Sequence, residues 1–406
     1  MLMKILIIHQ HFSTPEAGGS MRSYYLSQGL QQRGHQVEVI TAHNQRHGYT
    51  QVQNGVRIHF MPVFYENHLG FWSRIYAFAK FARMALHKAK TLEAIDLCYA
   101  LSTPLTVGWI ALKLKSQRNL PFIFEVGDLW PEAPIQMGVI KSTMLIKRLR
   151  SLEKKIYQEA SQVVALSPDI EEAILKVVPE CPVSVVPNMA DCQYFRYSAE
   201  SNKRYRDLDL QGKFVILYFG TAGKANYLEF LLRVAGSTEE RDPGIHFLVV
   251  GRGSELDRIK SLGRGLRNMT FLDYMPKDEI RKVLDISDAI YISFAALPVL
   301  QTGSPNKFFD GLAAGKLVII NFKGWLKQVV EQHQLGFYAD PQQPENFAKL
   351  IRPFKDDPKL LRRFQKNARR AGEQLYSKEI ALDRIDRIIT TQKPQFNDSA
   401  VYTVTE

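Results

Sequence analysis

Cysteine is scarce in this chain: Cys98, Cys181 and Cys192 are the only three in 406 residues. They cannot all pair, none stand in C-x-x-C spacing, and they sit mostly in apolar stretches, so no disulfide framework is expected. A reducing cytoplasm is the natural setting for such a sequence. Long apolar runs are missing too. The run from Ile5 to Ile8 is far too short for a secretory signal and has no small-residue cleavage site, and no later stretch is long enough to span a bilayer. The chain is therefore not expected to be integral to a membrane, and the sequon Asn268-Met269-Thr270 reads as accidental. Two nucleotide signatures are also lacking. No G-x-G-x-x-G follows the first strand, and Gly311-x-x-x-Gly315-Lys316-Leu317 has neither the length nor the Ser/Thr of a Walker A loop. Dehydrogenase and ATPase readings fall with them.

What is present is basic and apolar. The formal net charge is +12, which favours an anionic partner, and 45% hydrophobic residues suit a folded core. No nucleic-acid reading motif accompanies the charge, so nucleic acid is not expected as that partner. At 406 residues the chain is comfortable for two domains. Apolar runs alternate with helix-period segments throughout, which predicts βαβ units and parallel sheets, an α/β class. Early strands are expected at Lys4-Ile8, Gln36-Thr41, Val56-Met61, Asp96-Leu101, Pro121-Val126, Gln162-Leu166 and Val183-Val186. The rhythm is lost between Asp191 and Leu210 and resumes at Phe214. The expected domains are 1–190, a linker at 191–212, a second domain at 213–376, a C-terminal helix at 377–392 crossing back to the first domain, and a polar, disordered tail at 393–406.

Two loops stand out as anion cradles. Gly18-Gly19 lies between the first strand and the first helical pattern, and Gly303-Ser304-Pro305-Asn306-Lys307 opens a later helix. Helix N-termini present unpaired N–H groups and a favourable dipole to phosphate. Lys307 and Asp310 stand at i and i+3 on that later helix, so a cation and a carboxylate share one face. Lys224, with Gly223 before it, sits in a glycine-rich turn after a strand. Arg252, in Gly251-Arg252-Gly253, is a further candidate cation. Asp128 lies just past the end of an expected strand, where open α/β sheets place ligands, with Glu132 close behind. His9-x-His11 after the first strand suggests a metal hydrolase, but no matching downstream His, Lys and Asp set accompanies it, so no metal site is expected.

The segments Pro15-Glu16-Ala17-Gly18-Gly19-Ser20-Met21-Arg22, Glu125-Val126-Gly127-Asp128-Leu129-Trp130-Pro131-Glu132, Tyr218-Phe219-Gly220-Thr221-Ala222-Gly223-Lys224 and Ser304-Pro305-Asn306-Lys307-Phe308-Phe309-Asp310-Gly311 carry a resemblance. The chain resembles the GT-B glycosyltransferases of family 4 along essentially its whole length. It looks most like the branch that adds amino or deoxyamino sugars, fucosamine among them, to bacterial surface polysaccharides such as lipopolysaccharide or capsule. The resemblance implies two Rossmann-like domains facing each other across a cleft, acceptor in the first and donor nucleotide in the second. It implies a retaining transferase that needs no metal or other cofactor and uses a nucleotide sugar, here UDP-linked with an N-acetylated hexosamine or deoxyhexosamine. The acceptor would be a lipid-linked saccharide or polysaccharide.

By the same resemblance Asp310 grips the donor ribose, where the family usually has Glu. Thr302, eight positions upstream, stands where a second Glu often contacts the donor sugar, and Gly127 stands where many members have His. Asp128 then takes a catalytic role, with Glu132 and His11 on the acceptor. Lys224 and Lys307 would meet the charge that develops on the leaving diphosphate, aided by amides of Gly18, Gly19, Gly303 and Ser304 and by Gly223 and Arg252. The departures at Thr302 and Gly127 also fit an alternative, a non-catalytic protein on the same scaffold that binds sugar nucleotides or glycans.

One helical segment, Phe71 to Lys90, is doubly patterned. Phe71, Ile75, Phe78, Ala82, Ala85 and Ala89 form a stripe expected to pack on the sheet. Trp72, Tyr76, Lys80, Arg83 and Lys90 lie around the other side, with the mixture of interfacial aromatics and cations that suits an anionic membrane surface. The expected location is cytoplasmic, peripheral on the inner face of the plasma membrane.

Overall fold

Ile5, Leu6, Ile7 and Ile8 are wholly buried, as an unbroken apolar run must be when a strand is covered on both faces. This strand, β1 (Lys4–Ile8), lies inside an eight-stranded sheet of order β3-β4-β2-β1-β5-β6-β7-β8. The computed structural model describes residues 2–14, 21–66, 69–196, 208 and 210–391. Gly18, Gly19 and the tail from Lys393 lie outside these residues. Two units are distinguished: the described residues of Met1–Pro187, Thr302–Ser304 and Glu379–Glu406 form the first, and those of Asn188–Gln301 and Pro305–Lys378 the second.

The first unit runs β1, α1 (Arg22–Gln32), β2 (Gln36–His43), β3 (Tyr49–Gln53), β4 (Val56–Pro62), α2 (Phe71–Lys90), β5 (Leu97–Leu101), α3 (Thr106–Arg118), β6 (Phe122–Val126), α4 (Glu132–Gln136), α5 (Thr143–Glu159), β7 (Gln162–Ala165), α6 (Pro168–Val177) and β8 (Val183–Val185). Every pairing is parallel except β3 on β4. Side-chain caps start two helices: Ser142 accepts from the Leu145 amide, and Ser167 from that of Ile170 with Pro168 in the first turn. β3 is missing from the sequence expectation because it is exposed along most of its length and so shows no apolar alternation. Its hairpin turn, Asn54-Gly55 with both φ positive, was the readable signal.

The second unit holds a six-stranded parallel sheet of order β11-β10-β9-β12-β13-β14. Its elements are β9 (Phe214–Thr221), α7 (Glu229–Glu239), β10 (Ile245–Arg252), α8 (Leu256–Leu262), β11 (Met269–Leu272), α9 (Lys277–Asp285), β12 (Ala289–Ile292), α10 (Pro298–Gln301), α11 (Asn306–Ala313), β13 (Leu317–Ile320), α12 (Trp325–Gln332), β14 (Gly336–Tyr338), α13 (Phe347–Asp356) and α14 (Pro358–Gln374). Phe230, Phe247, Tyr291 and Ile351 anchor its core. The segment before the undescribed stretch packs here: Arg369 donates to the Cys192 and Phe195 carbonyls, each at 2.9 Å. A last helix, α15 (Lys378–Thr391), belongs to the first unit from Glu379 on. His35, buried, accepts the Met3 amide at Nδ1, so its Nε2 carries the proton and donates to Asp386 of α15 at 2.7 Å.

The expected packed stripe of α2 is corrected. Ala77, Phe81, Ala82, Ala85 and Ala89 are buried, while Phe71, Ile75 and Phe78 are only half-buried. Phe78 is drawn sideways to stack on Tyr65, with centroids 5.6 Å apart, and the sheet-facing position passes to Phe81.

Candidate active site

Both sheets reverse direction of strand order beside their first strand: β2 and β5 flank β1, and β10 and β12 flank β9. Loops leaving the carboxyl ends of strands diverge at such switch points and leave room for a ligand. In the second unit this end is built on glycine. A Cβ at Gly251 would come within 1.9 Å of the Gly220 carbonyl oxygen, so only glycine allows β9 and β10 to run so close. Ala295 donates to the Ala225 carbonyl at 2.8 Å, tying the loop after β12 to the loop after β9.

Lys307, in the first turn of α11, reaches this place. Its Nζ is 4.1 Å from the centroid of Tyr218, a cation–π distance, and a Cβ at Gly220 would lie 3.3 Å from it. The Nζ is buried and has no hydrogen-bond partner among the described residues. Burial lowers its pKa from 10.5 to about 7, because a desolvated ammonium is disfavoured. The Tyr218 hydroxyl is occupied, donating to the Thr221 carbonyl. Lys224 is exposed at the start of the turn that follows β9, preceded by Gly223. Arg252 ends β10 in register with Thr221 and stacks over Tyr274 at 4.2 Å. Three cations thus lie about one sheet end, and among the described residues the Lys307 ammonium is buried without a hydrogen-bond partner.

Asp310 is found in an ion pair that sequence reasoning missed. Lys277, at the start of α9, approaches it to 3.3 Å, both side chains being largely buried. Burial raises the Asp310 carboxyl pKa and Lys277 pulls it back down. The Lys277 ammonium also lies 5.0 Å from the Phe195 ring. No motif marked Lys277; Pro276 before it shows only that a helix begins.

In the first unit, β1 delivers His9, Gln10 and His11 to the switch point. His9 is hydrogen-bonded to Ser23 at 2.8 Å, and burial lowers its pKa to about 3, with His11 adding to the effect. Burial lowers His11 to about 4. Both imidazoles are therefore neutral near pH 7 and can exchange hydrogen bonds with hydroxyls. His11 lies against Tyr65 at 4.6 Å, Tyr65 against Phe78 and Phe78 against Trp130 at 6.0 Å, an aromatic row.

In the same unit Arg22 makes a two-point pair with Glu125 at 2.7 and 3.0 Å, and also donates to the Val186 and Pro187 carbonyls. Tyr99 donates to the same carboxylate at 2.6 Å. The network holds the end of β6, from which Gly127 and Asp128 follow. Asp128 is exposed, although protein packed around the carboxyl raises its pKa. The accessibility counts for more, since a carboxylate that water reaches keeps most of its hydration. Glu132 is paired with Arg150 of α5 at 2.7 Å through its Oε1. Thr302, Gly303 and Ser304 group with the first unit, where Ser167 donates to the Thr302 carbonyl at 2.6 Å. Among the described residues no three His, Cys, Asp or Glu side chains gather as metal ligands would.

On α2, Trp72 and Tyr76 are 78% and 68% exposed. Arg83 and Lys90 are exposed and Lys80 is half-buried. No helix among the described residues is long and apolar enough to cross a membrane.

Two family models divide the chain between them. A glycosyl transferase 4-like domain matches residues 17–189, and a glycosyl transferases group 1 domain matches residues 202–371. The chain is a glycosyltransferase. An uncharacterized glycosyltransferase of Methanocaldococcus jannaschii is 21% identical to it over 356 residues, 85% of this chain and 87% of the relative. Among solved structures, the sucrose-phosphate synthase of Thermosynechococcus elongatus superposes with a TM-score of 0.76 at 17% identity, covering 96% of this chain and 98% of the other. Anabaena HepE, solved in complex with UDP and glucose, superposes at 0.70 with 18% identity, covering 96% and 100%. The two α/β units of this glycosyltransferase are those of the GT-B fold, and its group 1 domain carries the Lys307 and Asp310 arrangement.

Proposed function

We propose that this glycosyltransferase moves an N-acetylated hexosamine or deoxyhexosamine from a UDP-sugar to a lipid-linked saccharide or polysaccharide. We infer retention of anomeric configuration, independence of metal, and action at the inner face of the plasma membrane. One observation carries the donor half: a buried, unpartnered Lys307 ammonium over Tyr218, at the glycine-built end of β9. A lysine left in that state is stabilised by an arriving dianion, and a diphosphate is the dianion that a sugar-nucleotide donor presents. The structure of HepE with UDP supports the choice of base.

In this reading Lys307, with Lys224 and Arg252, holds the leaving diphosphate as negative charge grows on it, the task that fixed cations perform without reorganisation. Asp310 accepts the ribose hydroxyls while Lys277 keeps it ionised. Asp128 and the neutral imidazole of His11 position acceptor hydroxyls, with the aromatic row giving the sugar ring an apolar face. A donor phosphate oxygen receives the acceptor proton as the new bond forms on the face the diphosphate leaves. Thr302 and Gly127 are small where the family often has Glu and His, which suits an N-acetyl or deoxy donor. The reading of the acceptor is supported by the cations and exposed aromatics of α2, and by likeness to WaaG, a glycosyltransferase involved in lipopolysaccharide biosynthesis, at a TM-score of 0.65.

A thermal-shift panel of UDP-, GDP-, TDP- and ADP-sugars tests this, since a ligand of the folded state raises its melting temperature. UDP-N-acetylhexosamines are expected to give the largest rise, and transfer to a lipid-linked saccharide is expected to persist in EDTA. A rise with GDP- or TDP-sugars and none with UDP-sugars would overturn the donor assignment.

A further inference from the structure

A cavity of about 570 Å³ opens in the first unit between α2, α3 and α5, within the roughly 300–1,000 Å³ of ligand pockets. None of the residues that line it is assigned above to donor or acceptor. Its walls are apolar: Ala79, Ala82 and Leu86 from α2, Trp109 from α3 and Leu152 from α5. Alanine recurs on α2 where larger side chains would have closed the gap, and a core sealed for stability alone would not leave it. Arg83, His87 and Lys90 also line the cavity and are exposed, and among the described residues no acidic side chain lines it. Lys113 adds a cation 5.8 Å from the Trp109 ring. The Thr106 hydroxyl, another lining group, is buried with no hydrogen-bond partner among the described residues. Trp72 and Tyr76, two turns earlier on α2, and Met144 at the start of α5 are large apolar side chains left exposed.

A sugar would need polar walls, and a nucleotide would need polar groups within the slot for its base and ribose, where the walls are apolar and the charged groups are the exposed ones. An apolar slot with a cationic mouth, flanked by exposed aromatics, matches a hydrocarbon chain that ends in an anionic headgroup. We propose that this cavity receives one acyl chain of an anionic bilayer phospholipid, its phosphate held by Arg83 and Lys90. The inference rests on the reading of the α2 face as membrane-facing, and it adds insertion of a single chain to adsorption on the surface. Docked in this way, the first unit would be fixed in depth and rotation against the bilayer, as presentation of a lipid-linked acceptor requires.

The test uses the full chain with phosphatidylglycerol–phosphatidylcholine vesicles whose acyl chains carry bromine. Quenching assigned to Trp109 is the part that disappears in Trp109→Phe. The proposal expects such quenching, and its loss in Ala79→Phe, a filling change at an exposed position, while Ala79→Phe still sediments with the vesicles and keeps its UDP thermal shift. Arg83→Glu and Lys90→Glu are each expected to weaken vesicle binding about fivefold or more, from roughly 1 kcal/mol per cation. Sedimentation without Trp109 quenching, or quenching that survives Ala79→Phe, would leave surface adsorption standing and overturn the cavity assignment. Quenching only when a prenyl phosphate is added would assign the slot to the acceptor lipid and overturn it too. A concentration-dependent dimer that Ala79→Phe dissolves, with no lipid response, would assign it to a second copy. Failure to bind anionic vesicles at all would overturn both the cavity and the membrane reading.

Discussion

The Lys307 ammonium lies 4.1 Å from the centre of the Tyr218 ring, in a position that a Cβ on residue 220 would crowd to 3.3 Å. The ring offers its face but no hydrogen bond, and burial brings the lysine to a pKa of about 7. The free protein thus carries a cation in waiting, uncharged for part of the time near neutral pH.

This has a measurable effect on stability. Between about 7 and 10.5 the folded lysine binds fewer protons than the unfolded one, so its contribution to stability rises with pH across that window and is least favourable below it. Lys307→Met removes the term. Differential scanning fluorimetry should show the variant gaining in melting temperature over the parent at pH 6, with the gain shrinking by pH 9. A lower melting temperature for the variant at every pH would contradict the assignment.

Asp310 and Lys277 give a second prediction. Hydrogen bonds to a charged group are worth about 1.5–3 kcal/mol, so Asp310→Asn should weaken UDP binding on the order of tenfold to a hundredfold. Binding of 3′-deoxy-UDP should already be weakened in the parent and should fall little further in the variant. Equal losses for both ligands would mean that Asp310 acts elsewhere than on the ribose.

The Arg22–Glu125–Tyr99 network is buried, and removing one member of a buried ion pair typically costs about 3–5 kcal/mol. Glu125→Ala should lower the midpoint of urea unfolding accordingly. The double change Arg22→Met with Glu125→Leu should recover much of that loss, because no charge is then stranded. A single variant with a parental midpoint would show the pair to be unimportant.

His35 and Asp386 tie α15 to the first unit. Asp386→Ala strands a buried imidazole N–H, at about 1–3 kcal/mol, and should speed hydrogen exchange in 379–391 before other segments respond. Unchanged exchange there would place the anchoring of α15 in its apolar face alone.

Much of this was legible in the residues. Runs such as Ile5 to Ile8 or Leu317 to Ile320 announce strands covered on both faces, and the strand expected at Lys4-Ile8 has those observed limits. β3 escaped because exposure erases alternation, and the packed face of α2 was misphased because the Tyr65 ring, brought close only by the fold, competes for Phe78. In the site, glycine ahead of lysine drew attention to Lys224, in the turn after β9, and to Lys307, at the start of α11, whose residue types are informative at their own positions. Lys277, Tyr218 and Arg22 were given no role of their own, since each acts through a partner 33 (Lys277–Asp310), 89 (Tyr218–Lys307) or 103 (Arg22–Glu125) positions away, and one sequence holds no record of such pairs.

The most direct measurement is calorimetric titration of UDP at pH 8.5, in buffers of differing ionisation enthalpy, into the parent and Lys307→Met. Binding to the parent should take up a proton from the buffer as the buried lysine becomes an ammonium beside the diphosphate, and Lys307→Met should bind more weakly with no uptake. Equal affinity and equal proton exchange in the two proteins would contradict the claim that Lys307 meets the diphosphate.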